Sequence, residues 1–254
     1  MAGRIKSMSD RYASIADNIL HVQERIAKAA ERAGRKYESI RLMAVTKFHP
    51  QEAILSAWKA GIRLFGENRV QEAAGKYPLL RSHISESAVH MIGTLQKNKI
   101  NKALAVFDAI QSIDSIELLE AVAFRIANRT EPLDLYFELH TGEESKSGFP
   151  DIESLLRAAE TYADITAKAR SGAPQLRLKG LMTMAPYTSD AKALRASFRT
   201  LAHAFEEIRK RFDFSEFSEL SMGMSNDFEI AIEEGSTIVR IGTAIFGERQ
   251  DKDV

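Results

Sequence analysis

Lys47 stands where a primary amine could act as a nucleophile. It lies in the stretch Ile40 to Pro50, I-R-L-M-A-V-T-K-F-H-P, whose first six residues are mostly apolar and β-tolerant, and Pro50 opens a helical pattern from Gln51 to Ala60. The stretch predicts a buried strand running into a helix, with Lys47 at the strand's mouth. An ammonium group at the rim of a packed core is partly dehydrated, which favours the neutral amine, and a neutral amine adds to carbonyl groups. Read alone, the stretch leaves open the alternative that the lysine points into water.

Anion chemistry is offered near the other end of the chain. Gly223-Met224-Ser225-Asn226-Asp227 precedes F-E-I-A-I-E-E, so Ser225 is placed to cap a helix or to lend its hydroxyl to an anion at the positive helix end. In Arg240-Ile241-Gly242-Thr243, Gly242 would let backbone N–H groups come close to a phosphate and Thr243 could add a hydroxyl. An ordinary cap and an ordinary turn would each explain one of these; the coincidence of both, after consecutive strands, is the signal. Arg240 alternates with Val239 and Ile241, so its guanidinium points either into the strands' enclosed space or at surrounding helices. Pointing inward it needs a partner, and an ion pair with a carboxylate such as Glu138 is the structural alternative to a ligand role.

The elements that must carry these residues alternate. From Asp10, Ile15, Ile19, Val22, Ile26 and Ala30 mark one face of a long helix that Gly34 ends. After the Lys47 strand, I-R-L-F (62–65) is a short second strand leading to Gly66-Glu67-Asn68, which puts Asn68 at another strand end. A third strand is read at Ala88–Ile92, a basic helix at Gln96–Ala105, and a fourth strand at Ala105–Ile110, with Asp114 and Glu117 in capping-box spacing before the next helix. Leu133–Leu139, Leu176–Met184, Glu219–Met222 and Thr237–Ile241 complete the strands, and Pro150 opens the helix after the fifth. Eight short strands separated by helices are the pattern of a closed parallel (β/α)8 TIM barrel of class α/β, whose ligands sit at the C-terminal ends of the strands. The extra N-terminal helix must cap one end or pack outside. Residues 1–9 are read as a flexible arm and 10–254 as one domain.

Composition narrows the function. Lys plus Arg and Asp plus Glu both number 35 in 254 residues, which gives no reason to expect nucleic acid or an acidic membrane as partner. The run Q-K-N-K-I-N-K (96–102) reads as a solvated helix face. Cysteine is absent, which excludes thiolate catalysis and disulfides, and the six histidines have no metal-ligand spacing, so no metal site is expected. No stretch approaches the roughly 20 apolar residues of a membrane span and the N-terminus has no apolar leader region, so a soluble cytoplasmic protein is expected.

Several blocks together resemble one family. A-V-T-K (44–47), F-G-E-N-R-V-Q-E (65–72), H-M-I-G-T-L-Q-K-N-K (90–99), K-S-G-F (146–149), G-L-M-T-M (180–184), L-S-M-G-M-S-N-D (220–227) and G-S-T-I-V-R-I-G-T-A-I-F-G-E-R (235–249) are similar to those of the YggS/PROSC family, the pyridoxal phosphate homeostasis proteins. The resemblance spans nearly the whole chain. It implies a fold-type III barrel, like the N-terminal domain of alanine racemase, carrying pyridoxal 5′-phosphate as a Schiff base on Lys47. Carried over to these positions, it implies that Ser225, Gly242 and Thr243 hold the phosphate, that Arg240 meets the pyridine nitrogen, and that Asn68 and Met224 lie against the cofactor. An arginine there keeps the nitrogen unprotonated and weakens the ring as an electron sink. His140 departs from the family pattern, where asparagine is expected.

The resemblance implies a monomeric, non-catalytic carrier or regulator that meets cofactor-dependent apoenzymes transiently. An amino-acid racemase is the alternative, for which Tyr187 is the local candidate for a second acid/base. A cofactor-free, aldolase-like barrel is a third reading, disfavoured by the K-F-H-P and S-M-G-M-S blocks.

Overall fold

The computed structural model describes residues 12, 14–126, 129–142, 147–168 and 175–248; the arm read at 1–9 and part of the K-S-G-F block lie outside them. Eight strands, β1 (Arg41–Val45), β2 (Leu64–Glu67), β3 (Ala88–Met91), β4 (Ala109–Ile113), β5 (Leu133–Glu138), β6 (Leu176–Met182), β7 (Glu219–Ser221) and β8 (Ile238–Ile241), pair in chain order and close on each other. Every pairing is parallel, including the β1–β8 seam, so all eight C-terminal ends share one rim.

The helices are α1 (Ser14–Arg32), α2 (Gln51–Lys59), α3 (Val70–Leu80), α4 (Ile100–Leu104), α5 (Ile116–Arg125), α6 (Ile152–Ala167), α7 (Ala191–Arg211), α8 (Phe228–Glu233) and α9 (Thr243–Phe246). The place of α1 goes with the shortness of α9: among the described residues, the helix after β8 is only four residues long. Helix α1 packs on α2, α8 and α9, fastened by Asn18 donating to the Ile245 carbonyl and Arg25 pairing with Glu229. It therefore packs outside the barrel, with Ile15, Ile19, Val22 and Ile26 buried as the periodicity requires.

Strand alternation divides the core in two. The large cluster lies between sheet and helices, whereas Met43, Leu64, Ala109, Tyr136, Met182 and Ile238 form a separate apolar cluster inside the barrel. Arg240, two residues from Ile238 and in register with Met43, has inward parity.

Three sequence readings need correction. The fourth strand starts at Ala109 rather than Ala105, because Val106 and Phe107 are apolar but belong to the turn that ends α4. The basic helix read over 96–105 is a 3-10 turn, Lys97–Lys99, followed by α4. The second strand runs two residues later than I-R-L-F, over Leu64–Glu67.

Two caps also move by one residue. Helix α6 begins after Asp151, so Pro150 precedes the cap rather than opening the helix. Helix α5 is capped by Ser115 rather than Asp114: Ser115 Oγ accepts from the Leu118 N–H at 3.3 Å, while Asp114 receives the Ser115 hydroxyl. Ser115→Ala should lower unfolding free energy by about 1 kcal/mol in urea titrations, since it leaves a first-turn N–H without its acceptor.

Candidate functional site

Lys47 follows β1 by two residues and is half-buried at the shared rim. The turn after it is tight: Phe48 has φ 65°, a left-handed conformation uncommon for a side chain with a Cβ, and the next ring, His49, stacks on Phe246 of α9 with centroids 4.6 Å apart. The Lys47 turn is thereby joined to the element that follows β8.

The β7 and β8 loops meet at the same place. Gly223, at φ 95° after β7, reverses the chain where a Cβ would come within 2.6 Å of the Ala231 side chain, and its carbonyl accepts the Arg240 N–H at 2.9 Å. Ser225 does not cap the following helix. Asp227 holds the N-cap position of α8, and Ser225 Oγ instead accepts from the Ala244 N–H at 3.4 Å, across to the first turn of α9. Gly242 has φ −111°, open to any residue, and a Cβ there would only touch Val45 at 3.5 Å. Neither backbone conformation nor packing requires a glycine at 242. Thr243 is exposed; Met224 is half-buried, its N–H donating to Asp227.

Arg240 enters this rim from inside. It is 4% exposed, and its hydrogen bonds run from Nη1 to the Ser221 carbonyl (2.6 Å) and hydroxyl (2.8 Å) and from Nη2 to the Thr183 carbonyl (2.7 Å), not to Glu138 as the ion-pair alternative supposed. Burial pulls the guanidinium down to about 10, opposed by the fields of Asp227 and Glu138, so it stays charged at neutral pH. Glu138, also buried, accepts the Ser147 hydroxyl at 3.1 Å; burial pushes its carboxyl up to about 7. Asn68, just past β2, holds a buried Oδ1 with no hydrogen-bond partner. The structure thus brings Lys47, Ser225, Arg240, Gly242, Thr243, Met224 and Asn68 to one end of the barrel.

Residues 18–250 match the family described as alanine racemase, N-terminal domain. A pyridoxal phosphate homeostasis protein of Vibrio cholerae is 40% identical over 243 residues, 93% of this chain and 97% of the relative. The chain belongs to the pyridoxal phosphate homeostasis protein family. A solved structure from this homeostasis family's fold, PipY of Synechococcus elongatus with PLP bound, matches with a TM-score of 0.76 and 31% identity, covering 92% of this chain and 100% of that one. A protein from Bifidobacterium adolescentis matches with a TM-score of 0.85 and 37% identity, covering 96% and 99%.

Two groups of this homeostasis-family barrel escaped the sequence reading. Below Arg240, the Ser221 hydroxyl donates to Gln111 Oε1 at 2.7 Å, and Gln111 Nε2 lies 2.9 Å from His90 Nδ1, so a buried polar chain crosses the barrel. Burial holds His90 down at about 3, hence neutral. Beneath the Lys47 turn, Glu67, Glu72 and Lys76 form a second group; the spacing of Glu72 and Lys76, four apart on a helix, was its only trace in the sequence. Half-buried His140 sits past β5, its N–H donating to the Phe149 carbonyl at 2.9 Å.

Proposed function

We propose that this protein binds pyridoxal 5′-phosphate at the C-terminal rim of the barrel, holds it covalently on Lys47, and serves as a cytoplasmic, monomeric carrier or regulator of the cofactor without turnover of its own. When bound, the cofactor supplies an aldehyde carbon that takes up a primary amine with loss of one water. Lys47 is the amine. Ser225, Gly242 and Thr243 receive the phosphate: a hydroxyl on each side and a glycine that the fold does not need leave the backbone open to an anion at the first turn of α9. Arg240 faces the pyridine nitrogen with a charge tied to the barrel backbone, and Asn68 and Met224 line the ring, the orphaned Asn68 oxygen fitting a polar ligand.

The observation that carries this reading is the meeting of three segments on one rim: the Lys47 turn touches α9 through His49 and Phe246, and Ser225 bonds to α9 through Ala244. Non-catalysis is favoured by Arg240, because a fixed cation at the ring nitrogen disfavours the protonated ring that most chemistry on this cofactor uses. Tyr187, the residue available for a racemase role, is 85% exposed in the loop after β6. Recipients of the cofactor would be dependent apoenzymes met transiently.

Borohydride reduction of the protein incubated with pyridoxal 5′-phosphate, followed by peptide mapping, tests the reading. The expected result is one modified peptide, containing Lys47. Modification spread over surface lysines, or none, overturns it.

A further inference from the structure

Beneath the Lys47 turn lies a second, more deeply held amine. Lys76 of α3 has a side chain only 12% exposed, and its Nζ donates to the carbonyl oxygens of Thr46 (3.0 Å) and His49 (2.9 Å) and to Glu67 Oε1 (2.9 Å), with Glu72 Oε1 at 2.7 Å. Four oxygens share three N–H donors, so the ammonium is saturated. Two of those oxygens are the backbone carbonyls immediately before Lys47 and immediately after Phe48. The segment between them is gripped again from the side, since Glu72 Oε1 accepts the Phe48 N–H at 2.5 Å and Thr46 Oγ1 donates to Glu67 Oε1 at 2.8 Å, with the Tyr77 hydroxyl 2.8 Å from the same threonine.

This arrangement is poor value as a stabilising device. Glu67 is fully buried, its second oxygen Oε2 has no partner, and desolvation of a buried pair offsets most of the attraction within it. What the group does deliver is geometry. A left-handed Phe48 costs roughly 1 kcal/mol or more relative to ordinary backbone and persists only where its surroundings over-determine it. The peptide carbonyls at the two ends of the Lys47-Phe48-His49 segment, those of Thr46 and His49, are pinned to one buried cation, and that cation is pinned to two elements of the barrel, β2 through Glu67 and α3 through Glu72.

We infer that Lys76 is a positioning residue: by clamping the Thr46 and His49 carbonyls, it fixes the turn that aims the Lys47 amine at the bound aldehyde carbon. The inference rests on the cofactor reading above and adds a residue to it. Lys76 does not touch the cofactor, so its loss should weaken covalent capture and leave the anion cradle intact.

The test compares two ligands on three variants. Pyridoxal 5′-phosphate is titrated by its visible band, with borohydride trapping at Lys47; pyridoxine 5′-phosphate, which lacks the aldehyde, is titrated by calorimetry. In Lys76→Met, capture of the aldehyde should fall by about tenfold with pyridoxine 5′-phosphate affinity unchanged. Since Lys76→Met strands a buried carboxylate, the neutral pair Lys76→Met/Glu67→Gln is read in the same way, and Glu72→Ala, at the more open edge, should show a weaker loss of the same kind, about threefold. Equal capture by parent and variants overturns the inference, and so does a parallel fall for both ligands, which would mark a merely structural role. If the parent itself fails to trap the aldehyde on Lys47, the cofactor reading is what has failed, and the clamp falls with it.

Discussion

Replacing Lys47 by alanine should abolish the visible absorbance of the protein with pyridoxal 5′-phosphate and lower affinity for that ligand by about 100-fold, roughly 3 kcal/mol. The proposed site divides into an anion cradle after β7 and β8, a charged guanidinium inside the barrel, and one amine after β1. Only the amine distinguishes an aldehyde from the corresponding alcohol. Lys47→Ala should therefore bind pyridoxal 5′-phosphate no better than pyridoxine 5′-phosphate, and both should remain measurable by calorimetry because Ser225, Gly242 and Arg240 are untouched. A variant that keeps the visible band would place the covalent attachment on another lysine.

The legibility of this barrel in its sequence followed the physics of each signal. Strand parity and helix periodicity depend on neighbours along the chain, so α1 and the order of the strands could be read directly. Strand β4 was displaced because its middle, Gln111 and Ser112, is polar yet completely buried, whereas the apolar Val106 and Phe107 before it pack a turn. A hydrophobicity pattern ranks those two stretches the wrong way round. Ser225 was legible as a residue of the loop after β7 but not in its partner: capping α8 is a local interaction, and the bond to Ala244 crosses between loops. The Lys76 clamp was hidden for the same reason, since two of its acceptors are backbone carbonyls about 30 residues away, which have no side-chain signature.

Arg240 shows how such long-range partners shape the site's chemistry. Its donors end on Ser221 and Thr183, and Ser221 is itself held by the chain through Gln111 to His90. A neutral His90 leaves that chain uncharged, so the positive field at the end of it is that of Arg240, moderated by Asp227 and Glu138. Whether Glu138 is ionised then decides how much of that field remains.

Glu138 should also control the stability of the protein against pH. Its carboxyl is pushed by burial from an ordinary 4.5 to about 7, opposed by the Ser147 hydroxyl, reinforced by Asp114, and opposed again by Arg240 and His140. A carboxyl raised in the folded state binds its proton more tightly there than in the unfolded chain. Its stabilising contribution is complete below about pH 4.5 and is lost as pH rises through about 7. His90 works in the opposite sense. Burial lowers it from 6.5 to about 3, so its contribution is complete above about 6.5 and is lost as pH falls toward 3. Between roughly pH 4.5 and 6.5 the two slopes oppose each other, each worth about 1.4 kcal/mol per pH unit at most, and the parent's stability varies little on their account. Glu138→Gln removes one of them. In urea titrations of the ligand-free protein, the variant should match the parent at pH 4.5 and exceed it by about 3 kcal/mol at pH 8, the difference growing across the interval between. A constant difference at every pH would mean that Glu138 titrates as a surface carboxylate does, and that Arg240 faces a full negative charge across the whole neutral range.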